Sequence, residues 1–148
     1  MEIVTRSPTD KIEWEVYYDL RYRILREPWN QPRGSERNEG DKTAKHFATY
    51  VGQNMVSIAR TDELPDKTIQ IRFVATEKKM QGKGYGKIVM NAIHSFYENN
   101  EIKKVILHSR ETSVPFYKHM GYSILESSYL LFGEIPHYLI IKHLKDEN

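Results

Sequence analysis

The chain has 148 residues, 39% apolar and 28% charged, which bounds it to one water-soluble domain with a real core. A net charge of +2 and the lack of any basic run of five or more residues argue against a nucleic-acid partner. There are no cysteines, which excludes disulfides, thiolate metal sites and a cysteine nucleophile and fits a reducing compartment.

In chain order, the first residues carry no apolar signal core, and no apolar run nears membrane-spanning length, so a cytoplasmic protein with no membrane partner is expected. Residues 2–6 predict a short strand. Ser7-Pro8-Thr9-Asp10 predicts a turn in which Thr9 or Asp10 caps a helix. From Lys11 to Leu25 the spacing of Ile12, Trp14, Val16, Tyr17, Leu20, Tyr22 and Ile24 predicts an amphipathic helix, stopped by Pro28. Arg21, Arg23 and Arg26 near its end suit the negative end of the helix dipole. They read as a solvated face, with a site for an acidic substrate as the other reading. Residues 29–42 hold Pro32, Gly34 and Gly40, many charges and almost nothing apolar, and predict a long loop. Strands follow at 44–51 and 55–60 around a turn at Gly52-Gln53-Asn54, then a polar turn at 61–66 and a strand at 67–76. A helix is expected from Gly84 to Asn99 and a buried strand at Val105-Ile106-Leu107-His108. A short helix at 111–120 ends at Gly121, a left-handed cap. Two closing antiparallel strands, 122–132 and 138–143, are joined by Gly133-Glu134-Ile135-Pro136-His137, and 145–148 is a charged tail expected to fray. The sequence of elements predicts one domain over residues 1–148, a mixed α/β chain around one central sheet.

Between the strand at 67–76 and the following helix lies Gln81-Gly82-Lys83-Gly84-Tyr85-Gly86, with three glycines in five residues. Glycine permits positive φ and close approach to the bare backbone, and a helix N-terminus offers unpaired N–H groups. Together they make a phosphate cradle, and Lys78, Lys79, Lys83 and Lys87 surround it with positive charge. A tight strand-to-helix turn is the plainer reading. Neither a Walker loop nor a dinucleotide fingerprint fits, because Lys87-Ile88 follows the last glycine and the spacing is G-x-G-x-G.

The Q-x-x-G-x-G order after a strand resembles the acyl-CoA pyrophosphate loop of the GNAT family of N-acetyltransferases. A second stretch, Arg110-Glu111-Thr112-Ser113-Val114-Pro115-Phe116-Tyr117-Lys118-His119-Met120-Gly121-Tyr122, resembles that family's other signature, and the resemblance covers about residues 2–144. Asp19 to Arg26, Asp41, Ala44-Lys45-His46 and Ile135-Pro136-His137 look like the bacterial subgroup typified by ElaA and YjcF. The resemblance implies a mostly antiparallel sheet of six to seven strands, whose fourth and fifth strands are parallel and splay apart, with flanking helices. It implies acetyl-CoA as co-substrate, no metal, and a small-molecule amine or an exposed protein amine as acceptor, with a homodimer frequent in the family. The pyrophosphate would meet the backbone N–H groups of Gly82, Lys83, Gly84, Tyr85, Gly86 and Lys87 behind Gln81. The backbone of Val74, Ala75 and Thr76 would pair with the pantetheine arm, beside an expected bulge near Val74. The Val74 N–H would donate to the developing oxyanion, and Tyr117 would be the general acid.

Two departures are plain. Arg110 and Ser113 stand where the family often has Asn and Ala. A Glu base that some members carry on the fourth strand is missing, because Arg72, Phe73 and Val74 occupy that stretch. Since an ammonium with a pKa of about 10.4 must lose a proton before attack, His108, His137 and Glu134, or a water chain, are the candidate bases. The missing Glu keeps open the alternative of a non-catalytic acyl-CoA-binding or sensing domain.

Overall fold

A computed structural model describes residues 1–144. The expectation for 145–148 lies outside the described residues. The strands are β1 (Ile3–Arg6), β2 (Lys45–Val51), β3 (Asn54–Leu64), β4 (Thr68–Thr76), β5 (Lys104–Arg110), β6 (Ser123–Leu131) and β7 (Ile135–His143). The helices are α1 (Lys11–Leu25), α2 (Tyr85–Glu98) and α3 (Val114–Lys118). One seven-stranded sheet runs β1-β2-β3-β4-β5-β7-β6, antiparallel throughout except for the parallel pair β4 and β5. The fold class expected from the sequence is the one observed.

Helix α1 starts at Asp10, whose carboxylate accepts from the Glu13 N–H. One face of the sheet carries α2, whose Val89, Met90, Ile93 and Tyr97 pack on Ala59, Ile69, Ile71, Val105, Leu107 and Ile140. Each such fully buried side chain contributes roughly 1.5–3 kcal/mol of transfer free energy. The other face carries α1, whose Tyr17 and Leu20 pack on Ala48, Tyr50, Ile58 and Ala75.

Along β4 the buried residues switch face. Ile69 and Ile71 lie under α2, while Ala75 lies under α1 despite its odd position. A regular strand keeps 69, 71 and 75 on one side. The cause is a bulge: Ile58 pairs with Ala75 but Arg60 with Arg72, so one residue of β3 spans Phe73 and Val74. Phe73 has φ +56°.

Several boundaries move. The polar stretch 61–66 belongs mostly to β3, which runs to Leu64 because Thr61 to Leu64 keep their ladder with Thr68 to Ile71. The short helix at 111–120 splits into a 3-10 turn, Glu111–Ser113, and α3. Strand β7 begins at Ile135, so Ile135, Pro136 and His137 are ladder residues rather than loop. A 3-10 turn, Glu27–Trp29, leads into the loop at 29–42, and a second, Glu39–Lys42, closes it. Arg21 is not on a solvated face. It is 0% exposed and donates to the Asp41 carboxylate at 2.9 Å.

Candidate active site

Parallel pairing between β4 and β5 stops at Gln70 and Ile106. Beyond that point the two strands separate, and a cleft of about 510 Å³ opens between them. Phe73 and Val74 of β4 line it, with Leu107 to Arg110 of β5 opposite. The bulge expected near Val74 therefore stands at the mouth of the gap.

The glycine loop lies just past the end of β4. Gly82 and Gly84 have φ of +80° and +91°, and a Cβ on either would meet nothing within 4 Å. Their requirement is conformational. Gly86 differs, because a Cβ there would sit 3.3 Å from Thr76 Oγ1 and 3.5 Å from the Phe116 ring. It lets the first turn of α2 press against β4 and α3. No backbone N–H from Gly82 to Lys87 makes a well-formed hydrogen bond within the described residues. This converging set of donors at a helix N-terminus fits a pyrophosphate. The loop is braced from both sides: Gln81 Nε2 donates to the Thr76 carbonyl at 3.1 Å, and Ser57 Oγ donates to the Tyr85 carbonyl at 2.9 Å. Lys83 and Lys87 are exposed, and Ala75 is buried under α1.

Tyr117 comes from α3 on the α2 side of the sheet and reaches the cleft. Burial raises its phenol pKa, with Arg110 pulling weakly the other way, so the hydroxyl stays protonated at neutral pH. The histidines come from the opposite face. His108 and Arg110 alternate on β5, and Arg110 pairs directly with His137 on β7, so all three share one side of the sheet. His137 is buried and hydrogen-bonds through Nδ1 to the Ile135 carbonyl at 2.9 Å. A carbonyl only accepts, so Nδ1 carries the proton and Nε2 the lone pair of the neutral ring. The ring stacks on Tyr129, with centroids 4.6 Å apart, and Tyr129 also touches His108. Burial holds both histidines below their ordinary pKa, helped at His108 by His137 and Arg72 and at His137 by Arg110. Both are therefore neutral near pH 7. Glu134 lies in the exposed turn before β7 and does not line the cleft.

A charged network under the bulge was not expected. Asp41 sits between Arg21 of α1 and Arg60 of β3, at 2.9 and 3.1 Å. Burial alone would raise the Asp41 carboxyl. The Asn38 N–H and the Arg21 guanidinium outweigh it and hold the group below its ordinary value. His46 donates through Nε2 to the Asp41 carbonyl and takes the Tyr17 hydroxyl on Nδ1. The Phe73 ring lies among four guanidiniums: Arg21, Arg72, Arg60 and Arg26 have Cζ at 4.2, 5.0, 5.4 and 5.6 Å from its centre. Positive φ in a phenylalanine costs about 1–3 kcal/mol. Several cation–π contacts of about 0.5–2 kcal/mol each offset that cost. Trp29, Arg26, Tyr129, Leu131 and Ile135 complete the cleft wall. Tyr129 and Leu131 had no signal in the sequence beyond membership of a closing strand.

Among the described residues no helix is long and apolar enough to cross a membrane, and no group of three acidic, histidine or cysteine residues could hold a metal ion. The aligned relatives include YjcF of Bacillus subtilis, an uncharacterized N-acetyltransferase, 26% identical over 123 residues covering 83% of this chain and 87% of that protein. Escherichia coli ElaA superposes with a TM-score of 0.81 at 18% identity, covering 95% of this chain and 98% of that one. An aminoglycoside 6'-N-acetyltransferase complexed with coenzyme A superposes with a TM-score of 0.82 at 12% identity, over 100% and 99%. At these identities the two structures establish a shared fold. The family model described as an acetyltransferase (GNAT) domain matches residues 27–136, which is most of the chain and holds the glycine loop and most of the cleft lining, and the protein belongs to the acyl-CoA-dependent GNAT acetyltransferases.

Proposed function

We propose that the protein moves an acetyl group from acetyl-CoA to the primary amine of a small molecule by direct attack in the cleft between β4 and β5. The observation that carries this reading is the entry of Tyr117 and His137 into one gap from opposite faces of the sheet. The N–H groups of Gly82 to Lys87 would bind the pyrophosphate, and the backbone of Val74 to Thr76 would run beside the pantetheine arm. The acceptor nitrogen bonds to the thioester carbon, and its proton passes to Nε2 of His137. His108 is the neighbouring alternative. The Val74 N–H donates to the carbonyl oxygen as it gains charge. The carbon–sulfur bond breaks, and the leaving thiolate takes the Tyr117 proton. The products are an amide and the free thiol of coenzyme A.

The test is thiol release from acetyl-CoA across an amine panel. Tyr117→Phe should lower kcat by about 10²-fold while acetyl-CoA affinity stays within about twofold, because the phenol acts on the leaving group. Equal loss in both, or none in kcat, removes Tyr117 from this role. Tight acetyl-CoA binding with no turnover on any amine would favour a sensing domain, the reading prompted by the lack of a carboxylate on β4.

A further inference from the structure

The charges around Phe73 do not balance. Four guanidiniums approach its ring, and the nearby carboxylates are two. Asp41 bridges Arg21 and Arg60, and Asp62 holds Arg60 through two hydrogen bonds of 2.9 and 2.8 Å. Arg72 reaches Asp62 only at 4.0 Å. Arg26 donates to two backbone carbonyls, of Ser35 and Leu25, and has no carboxylate partner among the described residues. Glu36, whose charge acts on Arg26 without an ion pair, is turned to the Arg37 guanidinium and the Gly34 N–H. Arg26 and Arg72 are thus the surplus pair, and both line the cleft. Arg110, also without a carboxylate partner, lines it further along beside His137. Three arginines and two histidines face this space, and no Asp or Glu does. The rest of the wall on the α1 side is Leu25, Trp29, Tyr129, Leu131 and Ile135.

Like charges are seldom held together in a half-buried pocket without a partner, and a polycationic amine would add to the repulsion. An anionic group on the acceptor would relieve it, and guanidinium forks match carboxylate and phosphate oxygens. We propose that the acceptor is an amine carrying its own anionic group, a carboxylate or a phosphate, held by Arg26 and Arg72 while its apolar body lies against Trp29 and Tyr129. The inference rests on the acetyltransferase reading above and names the substrate class of that site.

Matched amines test it. With saturating acetyl-CoA, phenylalanine is compared with phenylalaninamide, glucosamine 6-phosphate with glucosamine, and both pairs with spermidine. The first pair reports a carboxylate preference and the second a phosphate preference. In at least one pair the anionic member should have a kcat/KM about tenfold or more above its neutral partner, mainly through KM. Arg72→Gln should bring that ratio to within about twofold of one, and Arg26→Gln should do the same if it folds. Equal or faster turnover of the neutral members or of spermidine overturns the proposal. If no amine is acetylated, the activity reading fails and binding still decides the charge question. N-acetylphenylalanine and N-acetylphenylalaninamide are then titrated by calorimetry into the enzyme saturated with coenzyme A. Tighter binding of the anion, lost in Arg72→Gln, sustains an anion site. Equal binding of the two, or none, overturns it.

Discussion

The two faces of the sheet are built on different physics. Under α2 the packing is largely apolar, and its buried polar groups, such as His94 with the Tyr122 hydroxyl 2.6 Å away, are uncharged side chains. Under the end of α1 lie the buried Arg21 and Arg60 and the half-buried Asp41, around a strained Phe73. In the proposed reading the α2 side presents backbone N–H groups to the donor, and the α1 side presents side-chain charge to the acceptor. Backbone recognition needs only the right φ angles, so it tolerates change in side chains. Recognition by charge depends on which carboxylates remain unpaired, so it varies with single substitutions far apart in the chain.

The sharpest way to break this contrast is Asp41→Ala. It leaves two buried guanidiniums without their shared partner and should cost about 3–5 kcal/mol in denaturant unfolding. A loss below about 1 kcal/mol would show that the α1 side does not depend on charge pairing.

Acid should weaken both faces through histidines held below their ordinary pKa: His94 under α2, and His46, His108 and His137 on the α1 side. Burial holds His94 at about 4, against an ordinary 6.5, with Lys142 adding to the effect. Between those values the unfolded chain binds the proton and the folded chain does not, so stability falls as pH falls from 6.5. From there to about pH 5 the loss should be about 2 kcal/mol, and His94→Gln should flatten the curve. The Asp41 pKa is depressed, so its contribution is present above the ordinary 3.8 and is lost only below it. An unchanged slope in His94→Gln over the upper window would assign the acid sensitivity elsewhere.

Gly84→Ala is the finest probe. No neighbour obstructs a Cβ, so the cost is that of φ +91° alone, about 1–2 kcal/mol. Coenzyme A affinity should fall about tenfold by calorimetry, whereas Lys83→Ala should change it less than about threefold. The reverse order would make the cradle one of side-chain charge.

Much of the donor half was legible because its signals are local. The glycines, the strand before them and the helical spacing after them lie within thirty residues, and α1 at Lys11–Leu25 was bounded by an evident cap and a proline. The acceptor half was not. Arg21 looked solvated because helical spacing says which residues share a face but not what covers that face. The cover comes from Asp41, Glu36 and Phe73. His137 looked like loop because Pro136 and Gly133 break the pattern of a strand whose ladder partners lie on β5 and β6.

The sequence by itself determined the order of the elements and the glycine turn before α2, which follow from turn chemistry and periodicity acting over a few residues. The parallel pair that parts and the place of Tyr117 came from the resemblance of its two motifs to the family. Only the tertiary structure decided that Phe73 carries the bulge, that His108, Arg110 and His137 share one face, and that among the described residues Arg26 has no carboxylate partner while Arg72 reaches Asp62 only at 4.0 Å. Each of these depends on strand register and on pairing between residues distant in the chain, and no local pattern encodes which partners a buried charge will find.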